Sequence, residues 1–351
     1  MTEPMSPLHD PAIQPTAAED GSPKKSAASI VVGHDGSVGA ERALTFAAVI
    51  AESLRVPVTI ARVWGGEPQP PSLAQLIEEP RSFDSVVSEV TEQLVSNCES
   101  VTNEHPDLAV AYAVAHGSAS QVLCELSQHE RMLVIGSRGL GSIAGLLLGS
   151  VGNHCLHQSK RPVLVVPRSE HPITSAKPSE PTSGPSHLGV STIPQVAPGS
   201  IVVGFDGSQH SKRALTEALD LAEQMSAPVV VIQSWSIDTA PKGSIWKEGY
   251  VSSYPEINQE VVTQLEHDTG AIEQAYGHLA IQHRAVLGHP AEVLVRASES
   301  AMMLVVGSRG RGGFTGLVLG SVSTHCAQRA QCPVLVVPPE IVPPEDNSNN
   351  E

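Results

Sequence analysis

The 351-residue chain carries 21 basic and 37 acidic side chains, a net charge of −16, which repels a polyphosphate backbone at long range and argues against nucleic acid as a general partner. Its residues are 40% hydrophobic, yet in runs far shorter than the roughly 20 that cross a bilayer, and Met1–Gly21 holds no apolar stretch that would serve as a signal peptide. The expectation is a cytoplasmic protein without a membrane segment, long enough for two domains that each bury a core.

Residues 1–27, rich in Pro, Ala and acidic side chains, read as a disordered tail. A first domain is expected over residues 28–168. Ile30–His34 is a β-branched run ending in Gly33-His-Asp-Gly36, a strand entering a turn. Ala40–Leu54 shows apolar residues at helical spacing, with Ser37 placed as N-cap. Val56–Trp64 is a second strand, and Phe83–Glu104 a helix with Val86, Val90, Leu94 and Val101 on one side. Leu108–His116 is a third strand, Ala119–His129 a helix and Met132–Gly136 a fourth strand. Val163–Val166 is the fifth, reached through a helix that opens at Gly149–Ser150. Residues 169–198, dense in Pro, Ser and Thr, read as a flexible linker, 199–339 as a second domain and 340–351 as a second tail. Short buried strands alternating with helices imply α/β domains of the doubly wound kind, each with a parallel sheet flanked by helices on both faces.

The two domains are copies. Ser29-Ile-Val-Val-Gly-His-Asp-Gly-Ser37 returns as Ser200-Ile-Val-Val-Gly-Phe-Asp-Gly-Ser208, and Pro162-Val-Leu-Val-Val-Pro167 as Pro333-Val-Leu-Val-Val-Pro338. The segment Gly136–Val151 returns as Gly307–Val322, identical at 11 of 16 positions. All these pairs share an offset of 171 residues, as do Pro57 with Pro228 and Gly117 with Gly288. So long a register means two whole domains rather than one shared short motif.

The chemistry-bearing stretch is Gly136-x2-Gly139-x9-Gly149-Ser150, repeated as Gly307-x2-Gly310-x9-Gly320-Ser321. It begins at the carboxyl end of an expected strand, where open α/β sheets bind ligands. Glycines let backbone N–H groups approach phosphate oxygens closely. The N–H groups of Gly149, Ser150 and Val151, and of Gly320, Ser321 and Val322, are expected to form an anion site at a helix N-terminus, with the serine hydroxyl as a further donor. Ser137, Gly141, Ser308 and Gly312 lie in the same loops. Neither copy has the lysine of a Walker loop, and the first strand lacks the GxGxxG of a Rossmann fingerprint.

With Val-Val-Gly-x-Asp-Gly-Ser before it in both copies, this loop resembles that of the universal stress protein family, in its tandem, ATP-binding form. The resemblance covers both domains and implies a five-stranded sheet of order 3-2-1-4-5 in each, with the two domains paired through their last strands as an internal pseudo-dimer. A further homodimer is left open. It implies ATP as the ligand, with Mg2+ as an optional companion. By the same analogy Gly33 with Asp35, and Gly204 with Asp206, lie near the adenosine, Val63 and Ser234 beside the adenine, and the glycine loops at the phosphates. Ser234 is more polar than the aliphatic residue expected there, and Gly152-Asn153 is a weaker helix start than Ser323-Thr324. The two sites are therefore expected to be unequal.

Plainer readings stand beside these. Gly136 and Gly139 also suit a tight strand-to-helix turn, and Asp35 also suits a cap on the first helix. Arg138 and Arg309 suit either phosphate pairing or a solvated loop. His154-Cys155 and His325-Cys326 tempt a metal site, but adjacent helix residues diverge by about 100°, so packed helix residues and no metal are expected. The five cysteines (Cys98, Cys124, Cys155, Cys326, Cys332) form no CxxC. Cys124 and Cys155 fall on helical apolar patterns and read as buried free thiols rather than disulfides or metal ligands. No nucleophile–base pair is evident, so the expectation is a nucleotide-dependent stress regulator without dedicated catalysis. An ATP-hydrolysing or adenylate-transferring enzyme of similar architecture is the alternative.

Overall fold

The computed structural model describes residues 28–65, 83–140, 148–168, 196–247, 250–311 and 319–339. The expected tails, most of the expected linker, and Gly141 and Gly312 lie outside the described residues. The first copy runs β1 (Ile30–Gly33), α1 (Val38–Leu54), β2 (Val58–Trp64), α2 (Phe83–Glu104), β3 (Val110–His116), α3 (Ala119–Ser127), β4 (Met132–Gly136), α4 (Ser150–Gln158) and β5 (Val163–Val166). The second runs β6 (Ile201–Gly204), α5 (Gln209–Met225), β7 (Val229–Trp235), a small hairpin β8 (Trp246–Lys247) and β9 (Tyr250–Val251), then α6 (Tyr254–Glu273). It ends with β10 (Ile281–Leu287), α7 (Pro290–Ala297), β11 (Met303–Gly307), α8 (Ser321–Arg329) and β12 (Val334–Val337). The β8–β9 hairpin, antiparallel through Trp246–Val251 and Lys247–Tyr250, was not legible in the sequence, because two-residue strands carry no periodicity.

Within the first copy the strands are parallel in the order β3-β2-β1-β4-β5, the 3-2-1-4-5 arrangement the resemblance implied. The second copy repeats it as β10-β7-β6-β11-β12. The local reasons are shared too. In both copies a serine N-caps the helix after the first strand: Ser37 Oγ accepts from the Ala40 N–H, and Ser208 Oγ from Ser211, each at 3.2 Å. Ser37 therefore caps α1, and the alternative that Asp35 does so is not what forms.

The two sheets are one. β5 and β12 pair antiparallel with Leu164 opposite Leu335, Val165 opposite Val334 and Val163 opposite Val336. Because Leu335 is the 171-residue counterpart of Leu164, the pseudo-twofold axis passes between these two fully buried leucines. Each face of the ten-stranded sheet then carries a single core running through both copies. One core joins Ile30, Val32 and Leu164 with Ala47, Leu94, Leu215 and Leu265 of α1, α2, α5 and α6. The other joins Val31, Leu133 and Val336 with Leu123, Leu156, Leu294 and Ala327 of α3, α4, α7 and α8. Each edge that a lone domain would expose at its last strand is closed by the other copy.

The symmetry is broken at the seam. Arg131 Nη1 lies 3.2 Å from Glu217 Oε2, with both side chains largely buried. Their counterparts 171 residues away are Met302 and Phe46, an apolar pair in place of an ionic one.

Candidate functional site

The site of each copy is built where the first and fourth strands end side by side. Gly136 is a glycine for packing: a Cβ there would stand 2.7 Å from the Gly39 backbone, so the end of β4 can touch the start of α1 only without a side chain. Gly307 meets His210 in the same way, at 2.7 Å. Gly33 and Gly204 admit Leu123 and Leu294, whose Cδ1 atoms lie 2.8 and 2.7 Å from where a Cβ would be. Close helix–strand contact gives Gly33, Gly136, Gly204 and Gly307 a packing role of their own.

The aspartates do something the sequence did not reveal. Asp35 Oδ1 accepts the Ser37 N–H at 3.0 Å, and its Oδ2 accepts the Leu140 N–H at 2.9 Å. Asp206 repeats this with Ser208 at 3.0 Å and Arg311 at 2.9 Å. Each carboxylate thus ties the turn after the first strand to the glycine loop after the fourth. Burial pushes the Asp206 carboxyl up, but bonds from Ser208, Arg311 and Ser211 outweigh this and hold it below the usual range. Gly139 and Gly310 make room for the tie, since a Cβ would sit 2.2 Å from Asp35 Oδ2 or 2.4 Å from Asp206 Oδ2.

The helix N-terminus needs a correction. Gly149 N–H, expected to face an anion, donates to the Ser137 carbonyl at 2.8 Å, and Gly320 N–H to Ser308 at 2.7 Å. These bonds fasten the helix start to the loop start and remove one donor from each expected anion site. The remaining donors without an intrahelical acceptor are those of Ser150, Val151 and Gly152, and of Ser321, Val322 and Ser323, in the first turns of α4 and α8. Gly149 itself is N-cap with φ −71°, a conformation open to any residue. Among the described residues a Cβ on Gly149 would meet nothing nearer than 3.7 Å.

The second copy is more tightly closed. Buried Ser323 donates to the Ser308 carbonyl at 2.9 Å, a bond Gly152 cannot make. Arg138 and Arg309 are half-buried beside these loops, and among the described residues Arg309 Nε has no partner. Burial and the Arg309 charge push the His210 imidazole below its usual range. At the end of the second strand, half-buried Val63 and Ser234 hold equivalent places, but Ser234 Oγ donates to the Gly288 carbonyl. Its polarity is answered within the protein.

Aromatic clusters at the ends of the second strands carry no signal in the sequence pattern. In the first copy, Trp64 meets His116 edge-on with ring centroids 4.6 Å apart, and Phe83 at 5.5 Å. In the second, Trp235 stacks on Tyr254 at 5.8 Å. Beneath Asp35 lies a buried polar group with no counterpart in the second copy. Arg62, 4% exposed, donates from Nε to the His34 carbonyl at 3.1 Å and from Nη2 to His34 Nδ1 at 3.2 Å and Asn97 Oδ1 at 3.1 Å. The matching positions are Gln233 and Phe205. The signal was an arginine inside an otherwise apolar strand. Burial, then the Arg62 charge, pushes the His34 imidazole down to about 4.

Comparison with known proteins agrees with this geometry. A family model described as the universal stress protein family matches residues 28–167 and again 199–338. The chain belongs to the universal stress protein family. A universal stress protein of Mycobacterium tuberculosis is 30% identical over 320 residues, covering 89% of this chain and 96% of that one. One from Mycolicibacterium smegmatis is 29% identical over 318 residues, covering 88% and 97%. The crystal structure of a universal stress protein from Archaeoglobus fulgidus superposes with a TM-score of 0.58 at 18% identity, covering 88% and 98%. These relatives are of tandem size, so the duplicated universal stress architecture is shared along nearly the whole chain. Among the described residues no helix is long and apolar enough to cross a membrane, and no group of three or more His, Cys, Asp or Glu is placed to hold a metal.

Proposed function

We propose that this universal stress protein binds ATP, alone or with Mg2+, and acts as a nucleotide-dependent regulator in the stress response. The observation that carries the reading is the space kept over Gly149. Among the described residues neither backbone conformation nor packing requires glycine there, whereas phosphate approaching a helix N-terminus favours it. The N–H groups of Ser150 and Val151, and of Ser321 and Val322, would donate to phosphate oxygens, with the Ser150 and Ser321 hydroxyls beside them. Arg138 and Arg309 supply the nearby positive charge, and Val63 and Ser234 would flank the adenine.

A regulator fits better than an enzyme because the loop carboxylate is already engaged. Asp35 accepts two backbone N–H groups and holds the loop, which leaves it poorly placed as a base. The test is to purify the protein without added nucleotide, denature it and chromatograph the supernatant. Released ATP, up to one per copy, together with lost affinity in a G149V/G320V double variant, supports the reading. No released nucleotide and no thermal shift with millimolar ATP would overturn it. Steady ATP turnover well above background, abolished by Asp35→Ala, would assign the alternative enzyme class.

A further inference from the structure

Cys124 and Cys155 are 31 positions apart in sequence and sit on α3 and α4, which pack side by side over the same sheet face. Cys155 is fully buried, and half-buried Cys124 packs against the same apolar cluster. Cys155 Sγ reaches across to α3, where it donates to the Ser120 carbonyl, one turn before Cys124, at 3.8 Å.

We propose that Cys124 and Cys155 form an oxidisable dithiol that hydroperoxides close to a disulfide, stapling α3 to α4 in the first copy only. The site takes hydrogen peroxide or a small organic hydroperoxide as its oxidant. Cys124 is the half-exposed sulfur and the attacking one. Its thiolate attacks a peroxide oxygen, the O–O bond breaks, and the leaving oxygen takes up a proton as water or alcohol, giving a sulfenic acid. The Cys155 sulfur then attacks the Cys124 sulfur, the S–O bond breaks, and the hydroxide leaves as water with the Cys155 proton. Two thiols lose two electrons in all, and one peroxide gains them.

The direction of attack follows from exposure, since peroxide can reach half-exposed Cys124 but not fully buried Cys155. In keeping with this, the adjoining Cys155 thiol holds Cys124 below the ordinary thiol range, while Cys124 and burial push Cys155 well above it. The remaining thiols lack these conditions. Cys98, Cys326 and Cys332 are buried, and burial pushes the first two up to about 11 and about 12. The second copy is an internal control. Cys326 is the counterpart of Cys155, but Val295 stands where Cys124 would be. The stapled helix, α4, is the one whose first turn carries Ser150 and Val151.

The full-length protein, reduced and then freed of reductant, is exposed to low millimolar hydrogen peroxide, then unfolded and quenched with an alkylating agent in denaturant so that the four buried thiols are also counted. The expected product is a monomer lighter by two hydrogens, with alkylatable thiols reduced from five to three. Digestion with trypsin and a glutamate-specific protease, which cuts at Glu104 between Cys98 and Cys124, should yield one cross-linked Cys124–Cys155 peptide. C124S and C155S, each verified as folded by its thermal transition, should lose that peptide. Five thiols remaining under peroxide would overturn the proposal. So would Cys124 recovered only as sulfinic acid, or a disulfide formed only between chains.

Discussion

Asp35 Oδ2 and the Leu140 backbone N–H are joined by a 2.9 Å hydrogen bond that spans 105 positions of sequence. The same bond recurs between Asp206 and Arg311. An aspartate that the family resemblance places beside a nucleoside is thus also the clasp of the glycine loop.

The clasp predicts a specific coupling. Asp35→Ala leaves the Ser37 and Leu140 donors unpaired and should cost about 2 kcal/mol, the range for a lost bond to a charged acceptor. Gly139→Ala drives a Cβ into the carboxylate and should cost about 1–3 kcal/mol, as overpacking does. The double variant should cost clearly less than the sum, because the alanine clashes with a group that is no longer there. Urea titrations of the four proteins measure the coupling, and simple additivity would contradict the contact.

His34 should make the protein acid-sensitive. Its imidazole titrates near 4 in the folded state against 6.5 when unexposed to the fold. Between those values the unfolded chain binds a proton that the folded chain does not, so stability falls as pH drops from about 6.5 to about 4. The full loss is about 3 kcal/mol, undiscounted because His34 is only 4% exposed. Above pH 6.5 the group contributes no slope. His34→Phe, the residue of the second copy, should flatten this part of the urea-midpoint profile. Arg62→Gln should shrink it by raising the imidazole pKa.

Two helix ends carry removable strain. Arg55 and Ser226, the C-caps of α1 and α5, are non-glycine residues in the left-handed region, at φ 54° and 51°. Arg55→Gly and Ser226→Gly should each stabilise by about 0.5–1 kcal/mol, the left-handed strain exceeding the entropy that glycine adds to the unfolded chain. Thermal midpoints of the single variants test this, and an unchanged or lower midpoint would count against it.

The two glycine loops should differ in rigidity through one hydroxyl. Ser323→Ala removes the bond to the Ser308 carbonyl and should cost about 1 kcal/mol. Hydrogen exchange should rise at the start of α8 and stay unchanged at α4. Equal changes in both helices would show that the bond is not local to the second copy.

The sequence by itself determined the duplication, the order and type of the regular elements apart from the β8–β9 hairpin, and the place of the loops at strand ends. Each of these is recorded locally: in a constant offset, in apolar periodicity, or in a serine just before a helix. The resemblance added the strand order and the pairing of the last strands, and the Leu164–Leu335 pairing then located the pseudo-twofold axis. Only the tertiary structure decided which donors and acceptors are already used. Gly149 N–H is taken by Ser137, the Asp35 carboxylate by Leu140, and the Arg62 guanidinium by His34 and Asn97. The Cys155 thiol is likewise taken by the Ser120 carbonyl of the neighbouring helix. These partners come together through the packing of separate strands, helices and loops, and no repeat period records that packing. What makes the two glycine loops unequal is accordingly a matter of buried side chains around them more than of the loops' own spelling.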